Sequence, residues 1–383
     1  MNDQVAIVGV GWAGYSPLTP ELSYKELMYQ AAVKAYDDAG INPRTDIDTF
    51  VTAAEDFYEG TSIFDEYVPD QLGAKQRPVH TIAGEGLQAL AAAYMQILTG
   101  RFATAVVECH SKASNILTLP QIQAYAMDPI LNRPLGVHPV FIAGLEMQRY
   151  LHATGTTHEQ CAEVVVKNKD NALQNPSAAY GASIGVDDVL SSSPVSEPLT
   201  RLETAEHADG AIVLVLANAD RAKAVSPLPI WIRGMGWANG TFALESRDWA
   251  TAGYAAKAAE IAYRQAEIDD PRDAIDFAEV DDAFAYKEFQ HLEAVGLFEP
   301  GQAGPATADG LTSPDGELPV NVSGGTLGEG HLLDASGLAR VVEVVQQLRE
   351  EAGPRQLPDV STGLVVGWRG VPTTSGVVAV LGV

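Results

Sequence analysis

The sequence predicts an α/β protein made of two similar halves, with mostly parallel sheets covered by helices on both faces. Three observations lead there: an internal repeat, an alternation of strand-like and helix-like segments, and enough apolar residues for a large core. The repeat is the most informative. Residues 6–14 read AIVGVGWAG and residues 231–239 read WIRGMGWAN, about 225 positions apart. In the same order, residues 35–48 read AYDDAGINPRTDID and residues 262–276 read AYRQAEIDDPRDAID, the second copy with one extra residue. Two matches in register point to a duplication, with halves at 1–225 and 226–383.

The elements follow in order. A strand is expected over 5–10, then an amphipathic helix over 23–39 with Ser23 and Glu26 in capping-box spacing. A strand near 50–53, a helix near 87–98 and a β-branched run at 105–107 come next. Residues from about 115 to 195 have no counterpart in the second half and read as an inserted helical excursion, including a helix over 159–173. The apolar run 211–219 closes the first half as a buried strand. The second half gives a strand at 229–236, a helix at 250–267, a strand at 276–280 and a helix at about 286–295. A helix at 335–350 and strands at 363–366 and 377–381 complete it. Strands alternating with helices imply parallel sheets buried on both sides.

Composition bounds the remaining classes. Of 383 residues, 46% are hydrophobic, yet none of the apolar runs is long enough to span a bilayer. The opening MNDQVAIVGVGWAG has no basic region, so no signal peptide is expected. Cys109 and Cys161 read as unrelated reduced thiols, which suits a cytoplasmic protein. A net charge of −26, from 50 acidic against 24 basic residues, disfavours nucleic acid and anionic membranes as partners. A salt-adapted source and an ordinary acidic enzyme both fit that surplus.

One motif tempts. Gly9-Val10-Gly11-Trp12-Ala13-Gly14 spells G-x-G-x-x-G after a strand. A dinucleotide site needs a helix to open at once and meet the pyrophosphate. Here Pro17 and Pro20 delay the helix, so the glycines are read as tight strand exits and no nucleotide cofactor is assigned.

Four segments carry a family resemblance: 150–178 (YLHATGTTHEQCAEVVVKNKDNALQNPSA), 187–211 (DDVLSSSPVSEPLTRLETAEHADGA), 279–302 (EVDDAFAYKEFQHLEAVGLFEPGQ) and 318–349 (LPVNVSGGTLGEGHLLDASGLARVVEVVQQLR). The chain resembles the thiolase superfamily in its sterol-carrier-protein branch, which holds acetyl-CoA acetyltransferases and lipid-transfer-type aldolases. The resemblance implies a five-layer αβαβα sandwich, a homodimer, a coenzyme A thioester as substrate and, in many members, a small zinc-ribbon/OB-fold partner protein. It implies no bound cofactor.

The departures from the family pattern shape the functional expectation. In relatives a nucleophilic cysteine opens a helix in a C-A-S-G-L type motif; here that stretch is Ala83-Gly84-Glu85-Gly86-Leu87, and Ala83 takes the cysteine position. The H-D-A-F motif becomes Asp281-Asp282-Ala283-Phe284, while the G-H-P motif survives as Gly330-His331-Leu332. His331 is therefore expected to be catalytic or to line an oxyanion hole. Asp281 is either a strand-end carboxylate bonded to nearby N–H groups or a general base or acid. Glu85 fits a first-turn carboxylate as well as a catalytic one. Tyr286 and His291 follow Asp281 on a helix, where core packing competes with a place in the cavity; Tyr286, like Glu85, is the alternative proton-handling candidate to Asp281 and His331. Asn321, before the Ser323-Gly324-Gly325 turn, is a substrate-contact candidate with Gly325, and Gly370 is another in the last family loop. His207 with Glu206 and Asp209 resembles a metal cluster but lacks further ligands, so no metal is assigned. Retro-aldol cleavage of a β-hydroxyacyl-CoA fits this residue set best, because it needs a base and enolate donors and no thiol. An unusual acyltransferase and a non-catalytic acyl-CoA-binding subunit are the alternatives.

Overall fold

The structure is a computed structural model that describes residues 4–59 and 63–383. Its strands are β1 (Val5–Ser16), β2 (Thr49–Ala53), β3 (Val79–Ile82), β4 (Thr104–Lys112), β5 (Pro194–Ser196), β6 (Leu199–Thr200), β7 (Asp209–Asn218), β8 (Ile230–Asn239), β9 (Phe277–Val280), β10 (Thr362–Trp368) and β11 (Ser375–Gly382). Nine of them join in the order β3-β2-β4-β7-β1-β8-β11-β10-β9, while β5 and β6 pair separately. The middle of this array is a narrow seam, where β1 meets β8 through only Ala6–Trp231 and Ile7–Ile230. Outward from the seam the order is β1-β7-β4-β2-β3 on one side and β8-β11-β10-β9 on the other. A single parallel bridge from Ala278 to Val320 stands on β9 as β3 stands on β2.

Strand direction follows the same rule on both sides. All strands of a side run one way except β7 in the first and β11 in the second, which are antiparallel to both neighbours. The outer pairings are parallel, as βαβ connections require.

Alternation along the strands builds the layers. Val5 and Ile7 face one core with Leu214, Leu216, Val377 and Ala379, and that core also contains the helices Gly86–Leu98 and Ser336–Leu348. Ala6 and Val8 face the opposite way, toward the helix Tyr24–Ala39. Val378 and Val380 face helices Gly253–Ala266 and Ala285–Ala294. The result is an αβαβα sandwich in which Ser336–Leu348 is buried on almost every side, as a middle-layer helix must be.

The repeated G-x-G has a packing cause rather than a strand-exit cause. β1 continues through Ser16. A Cβ at Gly9 would stand 2.5 Å from the Ala35 carbonyl oxygen, and one at Gly11 would strike that of Ala31. In β8, Gly234 and Gly236 lie equally close to the carbonyls of Ala262 and Ala258. Each pair of glycines lets a helix lie directly on strand backbone. The second echo marks a short helix after a proline. Asn42 caps Pro43–Asp46 and Asp270 caps Pro271–Ala274, each side chain accepting an N–H two residues on.

The capping box at Ser23 is present, with the Glu26 carboxylate accepting the Ser23 N–H at 2.7 Å. The excursion is helical as expected, through Val140–Thr154 and His158–Ala172. Although it leaves from the first half, it packs on the second: Met147, Tyr150, Val164 and Val165 share a core with Tyr286 and Phe289. That crossing brings distant loops together at one end of the sheet.

Candidate active site

At that end lies a cavity of about 80 Å3, walled by His207 and Thr204 before β7, Phe284 ahead of its helix, His331 and Asp334 before the middle helix, Trp368 at the end of β10 and Arg369 to Val371 after it. Tyr58, Gln123, Asp334, Arg369 and Val371 also border an outer chamber of about 360 Å3. Trp368 and Arg369 line the wall. The Trp368 indole donates to the Thr373 carbonyl at 3.0 Å and lies under the Lys287 ammonium. Arg369 pairs with Glu55.

His331 is fixed by its main chain. Its N–H donates to the Glu206 carbonyl at 2.8 Å, and its carbonyl accepts from the Ala208 N–H at 3.0 Å. Gly330 before it has φ +108°, and a Cβ there would strike Ala208 and Tyr180, so the turn calls for glycine. Nδ1 of His331 accepts the Leu333 N–H at 3.1 Å. That bond assigns the proton to Nε2, which becomes a donor. Burial, and next the neighbouring His207, push the His331 pKa down to about 3, so the ring is neutral at physiological pH.

The other expected residues are placed elsewhere. Asp281 is buried, with Oδ2 bound to Arg340 Nη2 at 2.7 Å and Oδ1 accepting the Ala283 N–H at 3.1 Å. Burial acts to raise its pKa, but Arg340, the two nearby histidines and that N–H outweigh it, and the net shift is downward. Both carboxylate oxygens of Asp281 are thus engaged, one by Arg340 and one by main chain. Tyr286 donates to Glu146 Oε2 at 2.7 Å in the core, and Lys287 holds the same oxygen. His291 bonds the Tyr254 hydroxyl and the Asp281 carbonyl. Asn321 accepts the Val280 N–H and donates to Glu288, which makes it a turn residue. Gly325 lies against the Asp282 carboxylate, which accepts the Thr326 and Leu327 N–H groups. Of the candidate residues, His331 and Gly370 stand on the cavity wall.

Glu85 caps the helix Gly86–Leu98 and accepts the Leu87 N–H at 3.0 Å, with its other oxygen buried and unpartnered. Burial raises its pKa to about 7. Its folded pKa thus exceeds the unfolded value, and ionisation costs stability in a window from about pH 4.5 up to 7, the full cost persisting above it. The variant Glu85→Gln is expected to gain melting temperature over the parent at about pH 8 and to gain less at about pH 5. An equal difference at both values would show that Glu85 ionises normally.

His207, Tyr58 and Asp334 are the wall residues that the sequence does not mark as catalytic. The apparent metal trio explains one of them. Glu206 turns outward to Arg201, and Asp209 is tied to Lys112, Thr19 and Ser114. His207 alone reaches the cavity. Its ring meets that of His331 edge-on, with centroids 5.1 Å apart.

Comparison with known proteins agrees with this architecture. Residues 237–383 match the thiolase C-terminal domain-like family. An acetyl-CoA acetyltransferase of Methanothermobacter thermautotrophicus is 31% identical over 97% of this chain and 98% of its own. The 17-hydroxy-3-oxo-4-pregnene-20-carboxyl-CoA lyase of Mycobacterium tuberculosis is 27% identical over 98% of both chains. Among solved structures, an Ltp2-ChsH2(DUF35) aldolase superposes with a TM-score of 0.86 at 26% identity, covering 99% of this chain and 98% of that one. The chain belongs to the thiolase superfamily, in its sterol-carrier-protein branch of thiolase-like enzymes. Its relatives include acetyl-CoA acetyltransferases, a carboxyl-CoA lyase and an aldolase.

Proposed function

We propose that this enzyme cleaves a β-hydroxyacyl-CoA by a retro-aldol reaction. The observation that carries the reading is a neutral imidazole, His331, presenting Nε2–H to a cavity whose wall contains no cysteine. Breaking the Cα–Cβ bond sends its electron pair into an enolate on the thioester oxygen. A preorganised neutral donor stabilises that charge without needing a covalent acyl intermediate.

The thiols support the same reading. Cys109 donates from Sγ to the Ala53 carbonyl inside the sheet, and Cys161 lies in the core of the excursion. Burial pushes both well above the ordinary thiol range, so neither is a ready nucleophile. Ala83 is exposed ahead of the helix cap and offers no acyl acceptor. The lyase and aldolase relatives act in the same sense, and the pairing named for the aldolase structure supports a small partner subunit for this chain. A homodimer is part of the same proposal.

The test is incubation with β-hydroxyacyl-CoA and β-ketoacyl-CoA thioesters, with and without thiol alkylation. Aldehyde or ketone release from the hydroxy substrate, unchanged by alkylation, is expected. Acetyl-CoA formed only from β-ketoacyl-CoA plus free coenzyme A would overturn the reading in favour of acyl transfer.

A further inference from the structure

We infer that His207 is the general base of this site, receiving the substrate's β-hydroxyl proton on Nε2 while His331 donates to the thioester oxygen. This assignment rests on the retro-aldol reading. It begins with hydrogen-bond accounting, because a buried polar atom without a partner needs an explanation. Among the described residues that keep such an atom, His207 is the one that lines the cavity, and the atom is Nδ1. Nδ1 is sealed from the cavity, which leaves Nε2 as the nitrogen able to reach a ligand.

The surroundings fix the main chain that carries the ring. The Tyr180 hydroxyl donates to the His207 carbonyl at 2.6 Å, and the main chains of His207 and His331 form a parallel bridge. Burial lowers the His207 pKa, and the His331 main chain opposes that by favouring the proton-bearing ring. With its proton on the buried Nδ1, which has no hydrogen-bond partner within the protein, the ring presents a lone pair at Nε2. The two imidazoles are therefore complementary: His331 offers a proton to the cavity and His207 an acceptor. Their edge-on contact suits two oxygens carried on carbons on either side of Cα, as in a β-hydroxy thioester.

The other titratable groups on the wall fit the role less well. Asp334 accepts the Glu55 N–H at 3.0 Å and borders the outer chamber. Burial and then Asp334 push the Tyr58 phenol upward, so it keeps its proton. Arg369 is a cation paired with Glu55.

The step balances within the substrate and His207. Nε2 takes the β-hydroxyl proton, and the O–H electron pair becomes the carbonyl π bond of the leaving aldehyde or ketone. The Cα–Cβ pair becomes the enolate, held by His331. The proton on His207 then returns to Cα, giving the shortened acyl-CoA and a neutral imidazole.

The experiment compares wild type, His207→Gln, His207→Ala and the surface variant Glu260→Gln on one β-hydroxyacyl-CoA. Both His207 variants should lose about 100-fold or more in kcat, with KM changed by about threefold at most. Added imidazole should restore part of the rate to His207→Ala, and the surface control Glu260→Gln should keep its kcat. Thermal unfolding of the variants should match wild type. The assignment is overturned if His207→Gln keeps the wild-type kcat. It is also overturned if the His207 variants lose rate with a lowered melting point and no imidazole rescue, which is the signature of a structural role. A wild type that fails to cleave the hydroxy substrate overturns the retro-aldol reading and the assignment together; cleavage with an indifferent His207 overturns the assignment alone.

Discussion

Replacing Arg340 by methionine is expected to lower the unfolding free energy by about 3–5 kcal/mol, the cost of leaving a buried charge without its partner. The Arg340 guanidinium is 2% exposed and gives Nη2 to Asp281 at 2.7 Å and to Thr326 at 2.5 Å. Asp282, Glu85 and Glu279 also feel its charge. Methionine fills much of the volume but leaves Asp281 ionised in an apolar setting. The sign follows from linkage. Asp281 has a folded pKa below its unfolded value of 3.8, so its contribution is fully present above that pH and is lost as pH falls through the folded pKa. At neutral pH the whole contribution is at stake. Denaturant unfolding at constant slope measures it. The double variant Arg340→Met with Asp281→Asn should recover part of the loss, because the two sites are directly coupled. A single variant within about 1 kcal/mol of wild type would mean that the charge had found water instead.

This ion pair also shows where sequence reading ran out. Asp281 was visible as a carboxylate in a family motif, but Arg340 lies 59 residues away and nothing local announces their contact. A buried guanidinium ties up one oxygen of this carboxylate, and only packing reveals that. The duplicated framework was legible because its cause is local and periodic. The paired glycines must recur wherever a helix lies on strand backbone, so Gly9 and Gly11 are echoed by Gly234 and Gly236. The capping residues Ser23, Asn42 and Asp270 are equally local signals. β3 was missed because four residues at a sheet edge carry little pattern. The cavity was harder still. Its wall draws on Tyr58, Gln123, His207, Phe284, His331 and Arg369, residues of loops and short helices that are far apart in sequence. His207 stood in view beside Glu206 and Asp209, and composition favoured a metal reading to be dismissed. Side-chain direction separates the three, and direction within an irregular loop is not written in residue types.

His331→Asn is expected to reduce kcat by about 10²–10³, equivalent to about 2.7–4 kcal/mol of transition-state stabilisation, with little change in melting temperature. The asparagine amide oxygen takes the place of Nδ1 and can still accept the Leu333 N–H, so the turn survives. What disappears is the Nε2 donor. His331→Gln reverses the experiment: its amide N–H extends toward the Nε2 position but loses the bond to Leu333, so it should keep more activity than asparagine while binding is looser. A donor role predicts that order. A purely structural role predicts the opposite, because asparagine preserves the turn bond and glutamine does not. The pH profile gives a second check. The folded pKa of about 3 lies below the ordinary histidine value of 6.5, so His331 binds its second proton only in strong acid. Its donor form is therefore constant from about pH 5 to 8, and no acid limb in that interval should vanish with the His331→Gln substitution. A limb near the ordinary histidine value that the substitution removes would show that the ring cycles between charged and neutral forms. In that case His331 moves a proton during turnover, and the enolate must be held by another donor.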